Sequence, residues 1–270
     1  MNSEVFAFIE QIKKDIAINS NIVLIEVSGG SCVGKSTIIE EFVNNFDDIQ
    51  IISQDSYQVG KNFKNKKTSK YKFDDPENFQ LDKAYQDIFQ LLNNNEITIP
   101  IFDLKENTTV GDQKIKPRKV NILEGIYASL PPLNELSKYR LYIEAPYYLR
   151  FLRRIARFVN SSQNSDLTIP LKHITASVFK AHKDFVVKQK DTATLVIQVE
   201  NILPKFVNPI FNEELIIEET LFEILDTKIC LGKVKLEQHL TIIQNKEMVY
   251  DVIIDNETKE FLKDVNWLEQ

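Results

Sequence analysis

The stretch that decides the fold is IVLIEVSGGSCVGKST, residues 22–37. Its first part, residues 22–28, is a mostly apolar, β-branched run that is typical of a strand buried on both faces of a sheet. Residues 29–36 carry the phosphate-binding loop pattern G-x-x-x-x-G-K-S, and a helix-like segment follows at 38–46. A glycine-rich turn with a chance lysine is the alternative. Strand, loop and helix come in the order that a nucleotide-binding loop requires, and this order favours the loop.

The residues of this loop predict how a nucleotide is bound. Glycines leave room for successive backbone N–H groups to surround phosphate oxygens, and the following helix directs its positive end at the same oxygens. Lys35 is expected to reach the β- and γ-phosphates, and the Ser36 hydroxyl is expected to ligate Mg²⁺. The predicted nucleotide-binding residues are Gly29, Gly30, Ser31, Cys32, Val33, Gly34, Lys35, Ser36 and Thr37.

Composition narrows the class of protein. The chain has 270 residues, of which 43% are hydrophobic and 27% charged, which is typical of one globular α/β domain with an appendage, or of two domains. A net charge of −6 argues against a dedicated nucleic-acid binder. No apolar run reaches membrane-spanning length, the N-terminus is an amphipathic helix rather than a secretory signal, and two cysteines fit a reducing compartment. We therefore expect a cytoplasmic protein with neither a nucleic-acid nor a membrane partner, and a homo-oligomer stays open.

Alternating strand and helix patterns predict the fold. Further strands are expected at about 49–53, 97–102, 120–124, 139–144 and 195–199, and further helices at about 81–92, 147–159 and 171–187. This alternation predicts an α/β fold, a P-loop NTPase-type parallel sheet with helices on both faces.

The chain is expected to divide near residue 200. Residues 1–200 form the predicted P-loop domain, with an N-terminal helix at 1–20, and 201–270 form a small α+β extension. In the extension, 202–225 is predicted to be mainly helical, and a hairpin is predicted around Asp255 and Asn256.

Two carboxylates follow strands of the predicted sheet, where ligands of parallel sheets bind. Asp55 lies just past the second strand, and Glu124 ends the strand at 120–124. Asp55 is placed to take a proton from an acceptor hydroxyl or to hold the Mg²⁺ shell, and Glu124 to bind Mg²⁺ directly or through water. A solvated loop aspartate and an ordinary strand-end glutamate are the alternatives.

Four arginines fall at helical spacing in the segment 147–159: Arg150, Arg153, Arg154 and Arg157. Most of them are expected on one side of the helix, where they form either a clamp for a moving phosphoryl group or a solvated cationic face. Sequence elements that mark GTPases and protein kinases are absent, which leaves a small-molecule kinase as the leading class.

Six short motifs together resemble the uridine kinase/phosphoribulokinase family of P-loop kinases. They are GGSCVGKST (29–37), SQDSY (53–57), FDDP (73–76), IPIFD (99–103), LEGI (123–126) and RRIAR (153–157). The motifs occur in the family's order across about 20–200, and FDLK (102–105) with TASV (175–178) looks most like the bacterial uridine-kinase-like branch.

The resemblance implies a role for several residues. Asp55 resembles the catalytic base, Glu124 and Ser36 the Mg²⁺ ligands, and Asp74 the carboxylate that holds ribose hydroxyls. Arg154 and Arg157 resemble arginines that contact acceptor and phosphate, so the implied catalytic set is Asp55, Lys35, Arg154 and Arg157. The implied acceptor site consists of Tyr57, Phe73, Asp74, Phe102, Asp103 and Arg154.

The sequence also departs from the family's pattern. Residues 160–166, where nucleoside kinases carry an arginine-bearing lid, contain no arginine, and Phe102 and Asn107 stand where a tyrosine and a histidine read the pyrimidine. Phe102 cannot donate a hydrogen bond to a base.

The leading hypothesis is an ATP- and Mg²⁺-dependent kinase that phosphorylates a hydroxyl of a small molecule, either a uridine- or cytidine-like nucleoside or a similar metabolite. A kinase of the same fold with a non-nucleoside acceptor stays open, as does a nucleotide-binding regulatory protein with little or no transfer.

Overall fold

The computed structural model describes residues 3–19, 21–60, 73–161 and 173–199, and within 217–253 the backbone of five strands. The chain forms two compact units. The first contains Met1–Ala145 and Ser177–Asn201 with Gln270, and the second contains Pro146–Ala176 and Ile202–Glu269. The predicted boundary at residue 200 stays a prediction.

The first unit contains three α-helices and seven strands among its described residues. In chain order they are α1 (Ser3–Asn19), β1 (Val23–Gly29), α2 (Lys35–Val43), β2 (Ile49–Ser53), α3 (Leu81–Leu92), β3 (Ile97–Asp103), β4 (Thr108–Ile115), β5 (Val120–Glu124), β6 (Tyr139–Glu144) and β7 (Leu195–Gln198). Five of these strands form a parallel sheet in the order β2-β5-β1-β6-β7, which confirms the predicted α/β fold.

Helices cover both faces of this sheet. On one face, the Phe8 ring of α1 packs edge-on against Phe42 of α2 at 6.5 Å and against Tyr139 of β6 at 5.8 Å between ring centroids. The other face, which carries Leu24, packs against the apolar side of α3. Burial of each such side chain contributes about 1.5–3 kcal/mol to stability. With β1 central and covered on both sides, the loop that follows Gly29 opens at the middle of the sheet's carboxyl edge.

The strand predicted at 97–102 does not join the parallel sheet. It forms β3, which pairs with β4 as an antiparallel hairpin. Pro100 has no backbone N–H for a ladder and is tolerated in such an edge strand. The sequence did not predict β4, because most of its side chains are polar and exposed.

The second unit contains α4 (Tyr147–Ser161) and five strands. These strands are β8 (Ile217–Glu218), β9 (Leu221–Ile224), β10 (Thr227–Val234), β11 (His239–Gln244) and β12 (Glu247–Ile253). All their pairings are antiparallel, in the order β12-β11-β10-β8, and β9 also pairs with β10.

The helix predicted over 202–225 is wrong where the structure describes that segment. Ile217–Glu218 and Leu221–Ile224 are strands and not helix, because short apolar runs fit both periods. The hairpin predicted around Asp255 and Asn256 lies outside the described residues. Before it, β11 and β12 pair, with His239 opposite Ile253. Residues 254–270 lie outside the described part.

No α-helix in the described part of the chain is both long and apolar enough to cross a membrane.

Glu26 is a buried acid in the middle of β1. It is fully shielded from solvent, and none of the described residues donates a hydrogen bond of normal geometry to its carboxylate oxygens. Burial raises the pKa of this carboxyl from 4.5 to about 8, and the Ser129 hydroxyl and the Arg140 charge lower it only in part. Glu26 is therefore protonated in the folded protein near neutral pH.

The folded chain keeps this proton at pH values where the unfolded chain has lost it. The free energy of unfolding should therefore fall by about 1.4 kcal/mol for each unit by which the pH rises between about pH 5 and pH 8. Glu26→Gln should remove this dependence. Urea unfolding of wild type and variant at about pH 6 and about pH 8 measures it, with the exposed Glu135→Gln as control. Equal loss of stability in wild type and Glu26→Gln would contradict the assignment.

Candidate functional site

The loop between β1 and α2 has a backbone that only glycine accommodates at two positions. Gly29 has a φ of 141°, and a Cβ atom there would lie 2.4 Å from the Ile143 carbonyl oxygen of β6. Gly34, directly before α2, has a φ of 110°. Both are glycines of the phosphate-loop motif, so the local geometry explains the sequence pattern.

Lys35 lies over this loop. Its ammonium group donates to the carbonyl oxygens of Gly29 at 3.2 Å and Gly30 at 3.4 Å. Cys32 has a φ of 62°, a left-handed conformation that is uncommon outside glycine and that concentrates at functional sites. The side chains of Ser36 and Thr37 are exposed on the first turn of α2. A cation and the positive end of a helix thus meet at one loop, which suits a polyanion.

The two predicted acids are joined by a serine that sequence reasoning missed. In the sheet register, Glu124 lies next to Ser53. The Ser53 hydroxyl donates to Glu124 Oε1 at 2.9 Å and accepts from the Asp55 backbone N–H at 3.4 Å. Gln58 Nε2 donates to Asp55 Oδ1 at 3.2 Å. The available signal was a serine two residues before an aspartate at a strand end, which is typical of a helix cap.

The strand ends that carry these acids also interlock. Gln54 is fully buried, and its Oε1 accepts the Tyr127 backbone N–H at 3.0 Å. A Cβ atom on Gly125 would lie 2.5 Å from the same oxygen. The Gln54 side chain therefore occupies space that is free because residue 125 has no side chain. The motifs SQDSY and LEGI therefore meet side by side, as their strand-end positions predicted.

The donor set fits Mg²⁺ only together with a phosphate ligand. Among the described residues, no group of three or more acidic, histidine or cysteine side chains could hold a metal by itself. Mg²⁺ is usually held by one or two carboxylates plus substrate phosphates, which matches Glu124, Asp55 and the Ser36 hydroxyl. Glu144 also ends a strand, but its buried carboxylate pairs with Lys190 at 2.8 Å.

Asp74, the predicted acceptor-binding carboxylate, is held from three directions. Its backbone N–H donates to Ser177 Oγ at 2.9 Å, and the same hydroxyl donates to Asp74 Oδ2 at 2.7 Å. The Tyr127 phenol donates to the Asp74 carbonyl oxygen. Phe73, beside it, is 49% exposed.

Tyr57 lies elsewhere than predicted. The Gln80 N–H donates to the Tyr57 carbonyl at 2.9 Å, and the ring is fully buried in the core against α3. A ring buried in this way presents no surface to an acceptor, which does not fit the role predicted for Tyr57 in the acceptor site.

Phe102 and Asp103 lie at the end of β3. A Cβ atom on Gly60 would lie 2.8 Å from the Phe102 ring, so the ring packs directly on the backbone at residue 60. Asp103 Oδ1 accepts the N–H groups of Lys105 at 2.8 Å and Glu106 at 2.9 Å, which stabilises the hairpin turn. Their roles toward an acceptor stay predictions.

The arginines of α4 belong to the second unit. Arg154 is partly buried, with Nη2 3.2 Å from His173 Nδ1, and Arg157 is exposed. Arg150 is only 1% exposed and lies 4.4 Å from the Tyr147 ring centroid, so it does not share an exposed face with Arg157. The predicted clamp stays a prediction, as do the implied contacts of Arg154 and Arg157 with acceptor and phosphate. Of the arginine-free segment 160–166, residues 162–166 lie outside the described part of the chain.

Comparisons with known proteins agree with the motifs. The model of the phosphoribulokinase/uridine kinase family matches residues 24–203. A uridine kinase of Clostridium botulinum is 30% identical over 182 residues, covering 65% of this chain and 87% of the relative. A uridine kinase of Mycoplasma genitalium is 34% identical over 183 residues, covering 65% and 84%.

Solved structures share the fold. The structure of a possible uridine kinase from Bacillus stearothermophilus superposes with a TM-score of 0.52 at 13% identity, over 72% of this chain and 98% of the other.

The two hydrogen bonds by which the Ser53 hydroxyl bridges Glu124 and Asp55 lead to a testable expectation. Ser53→Ala should weaken Mg²⁺-dependent ATP binding about tenfold, because a hydrogen bond to a charged group is lost and Glu124 is no longer oriented. Ser53→Thr keeps the hydroxyl and should bind as wild type does. Calorimetric titration of ATP with and without Mg²⁺ measures both variants, and unchanged binding by Ser53→Ala would refute the bridge's role.

Proposed function

The chain belongs to the phosphoribulokinase/uridine kinase family, and from this premise we propose that it is a kinase that transfers the γ-phosphoryl group of ATP to a hydroxyl of a small molecule. We propose a nucleoside of the uridine or cytidine type as the leading acceptor class. The observation that carries this proposal is the arrangement at the sheet's carboxyl edge, where Ser53 joins Asp55 to Glu124 at the end of the strand next to β1.

The phosphate loop would bind the nucleotide. Backbone N–H groups of residues 29–34 and the first turn of α2 favour phosphate oxygens, and Lys35 adds a positive charge at the same place. Bound MgATP supplies the phosphoryl group and a cation that neutralises its charge. Ser36 and Glu124 are the residues that would hold the cation.

Asp55 would act as the general base. Its backbone is fixed by Ser53 and one carboxylate oxygen by Gln58, so the carboxylate has a defined orientation at the edge of the sheet. A carboxylate fixed in this way can accept the proton of an attacking hydroxyl.

The acceptor proposal is supported by Asp74 and by the relatives. A carboxylate can accept hydrogen bonds from two neighbouring hydroxyls, as a sugar presents them. The curated relatives named above are uridine kinases, and this chain covers 87% and 84% of their length. Phe102 has no hydrogen-bond donor for a pyrimidine, so a non-nucleoside hydroxyl compound is the alternative acceptor.

A second candidate function is a nucleotide-binding regulator without efficient transfer. The arginine-free sequence of residues 160–166 favours it, because arginines at a moving phosphoryl group accelerate transfer by orders of magnitude.

An assay of ADP release decides between these functions. The panel contains uridine, cytidine, other nucleosides, pantothenate, sugars and sugar phosphates, each with MgATP. We expect acceptor-dependent ADP release with a pyrimidine nucleoside. Release only with another compound would identify a different acceptor, and ATP binding without stimulated release would support the regulator.

Lys35→Ala should abolish turnover, because the charge that binds the phosphates is removed. ATP affinity, measured by calorimetry, should fall together with the rate. Lys114→Ala, at a 75% exposed lysine side chain on β4, is the control. Turnover near the wild-type rate in Lys35→Ala would exclude the assigned role.

Asp55→Asn should reduce kcat by at least about a hundredfold while ATP affinity stays within about twofold, because the amide cannot take the proton. Rates and calorimetry on the same preparation separate the two effects, and the exposed Asp112→Asn is the control. A kcat close to that of the wild type would show that Asp55 is not the base.

A further inference from the structure

We propose that Ser177 is a positioning residue that orients the Asp74 carboxylate for acceptor hydroxyls, with Tyr127 fixing the backbone of Asp74. This inference rests on the proposed function and adds two residues to it. Ser177 belongs to the segment TASV (175–178), to which the family resemblance assigns no role.

The geometry gives Ser177 two contacts with one residue. Its hydroxyl accepts the Asp74 N–H at 2.9 Å and donates to Asp74 Oδ2 at 2.7 Å. Backbone and side chain of Asp74 are thereby held by the same atom, which restricts the χ1 and χ2 rotation of the carboxylate. With Oδ2 fixed, the direction of the second carboxylate oxygen is fixed as well.

Tyr127 fixes the remaining backbone group. Its phenol donates to the Asp74 carbonyl, and its ring packs edge-on against Phe79 at 5.2 Å and Phe185 at 6.5 Å between centroids. Burial and the nearby carboxylates of Asp74 and Asp75 raise the pKa of this phenol, so it stays a proton donor at any physiological pH.

Both partners are shielded from water. Ser177 is 3% exposed and Tyr127 is fully buried. Hydrogen bonds are electrostatically stronger in such surroundings than at a surface, and a buried polar group without a partner costs free energy. Ser177 and Tyr127 therefore hold Asp74 in one orientation.

The same tyrosine is anchored beside the proposed base. The Tyr127 backbone N–H donates to Gln54, the residue before Asp55. One chain of contacts therefore runs from the turn that carries Asp55 through Tyr127 to Asp74. This connection sets the acceptor-binding carboxylate relative to the base, which is what transfer to a bound hydroxyl requires.

Ser177 lies in an unusual helical segment. The helix predicted at 171–187 is π-helical over Ile174–Phe179 and His182–Val186, and then continues as a 3₁₀ helix to Thr192. π-helical turns are rare and occur frequently at functional sites. A straight α-helix would give residue 177 a different direction, so the wider turn accompanies the contact with Asp74.

The experiment compares acceptor and nucleotide kinetics. Ser177→Ala should raise the KM for the acceptor that the panel identifies about tenfold, with kcat and the KM for ATP within about twofold. Tyr127→Phe keeps the ring and should act in the same direction. The control is Ser137→Ala, which removes a buried serine hydroxyl that donates to the Leu24 carbonyl at the opposite edge of the sheet.

A double-mutant cycle separates positioning from general stabilisation. In an Asp74→Ala background, Ser177→Ala should have no further effect on the acceptor KM, because no carboxylate remains to be oriented. Additive effects, or an equal rise in the KM for ATP, would overturn the inference while leaving the kinase proposal intact.

Failure of the kinase proposal is recognised separately, as absence of ADP release with every acceptor of the panel. In that case a crystal structure of Ser177→Ala decides whether Ser177 orients the carboxylate. A rotated Asp74 side chain is expected, and an Asp74 carboxylate in its wild-type orientation would overturn the positioning role.

Discussion

The close approach of β1 to β6 at Gly29 is the constraint on which the rest of the site depends. The Ile143 carbonyl oxygen occupies the place where any side chain at residue 29 would begin. A glycine is therefore required where β1 ends and the chain turns into a loop, whose N–H groups and following helix form a positive concavity. Because β1 is the central strand, the concavity opens at the middle of the carboxyl edge, on the side of β5 and β2, which Glu124 ends and Asp55 follows.

Around this loop, hydrogen bonds of hydroxyl and amide side chains hold the candidate functional groups in place. Ser53 couples the two acids, Gln54 fills the space beside Gly125, and Tyr127 continues the contacts to Asp74. Each contact joins residues that are distant in sequence but adjacent at one edge of the sheet. Hydroxyl and amide groups serve this purpose because they orient a carboxylate without cancelling its charge.

The family's motifs and the departures from them lie in different parts of the molecule. The phosphate loop follows β1, Asp55 lies in the turn after β2, and Glu124 ends β5, so all three lie at the carboxyl edge of the parallel sheet. Phe102 and Asp103 lie on the β3–β4 hairpin, outside that sheet. Changes on this hairpin leave the strands that carry the phosphate loop and the acids in place, because the hairpin pairs only with itself among the described strands.

The sequence alone determined the α/β fold, the glycine-rich loop between strand and helix, and the placement of Asp55 and Glu124 at one edge of the sheet. Strand periodicity and glycine geometry are local, and parallel strands must end at one edge. It could not place Tyr57, whose ring packs into the core against α3, nor β3, which pairs with a polar strand that has no apolar pattern. It also could not find Ser177, because the contact with Asp74 joins residues 103 positions apart. Only the tertiary structure decides such contacts, since they depend on where separate elements pack and not on the residues beside them.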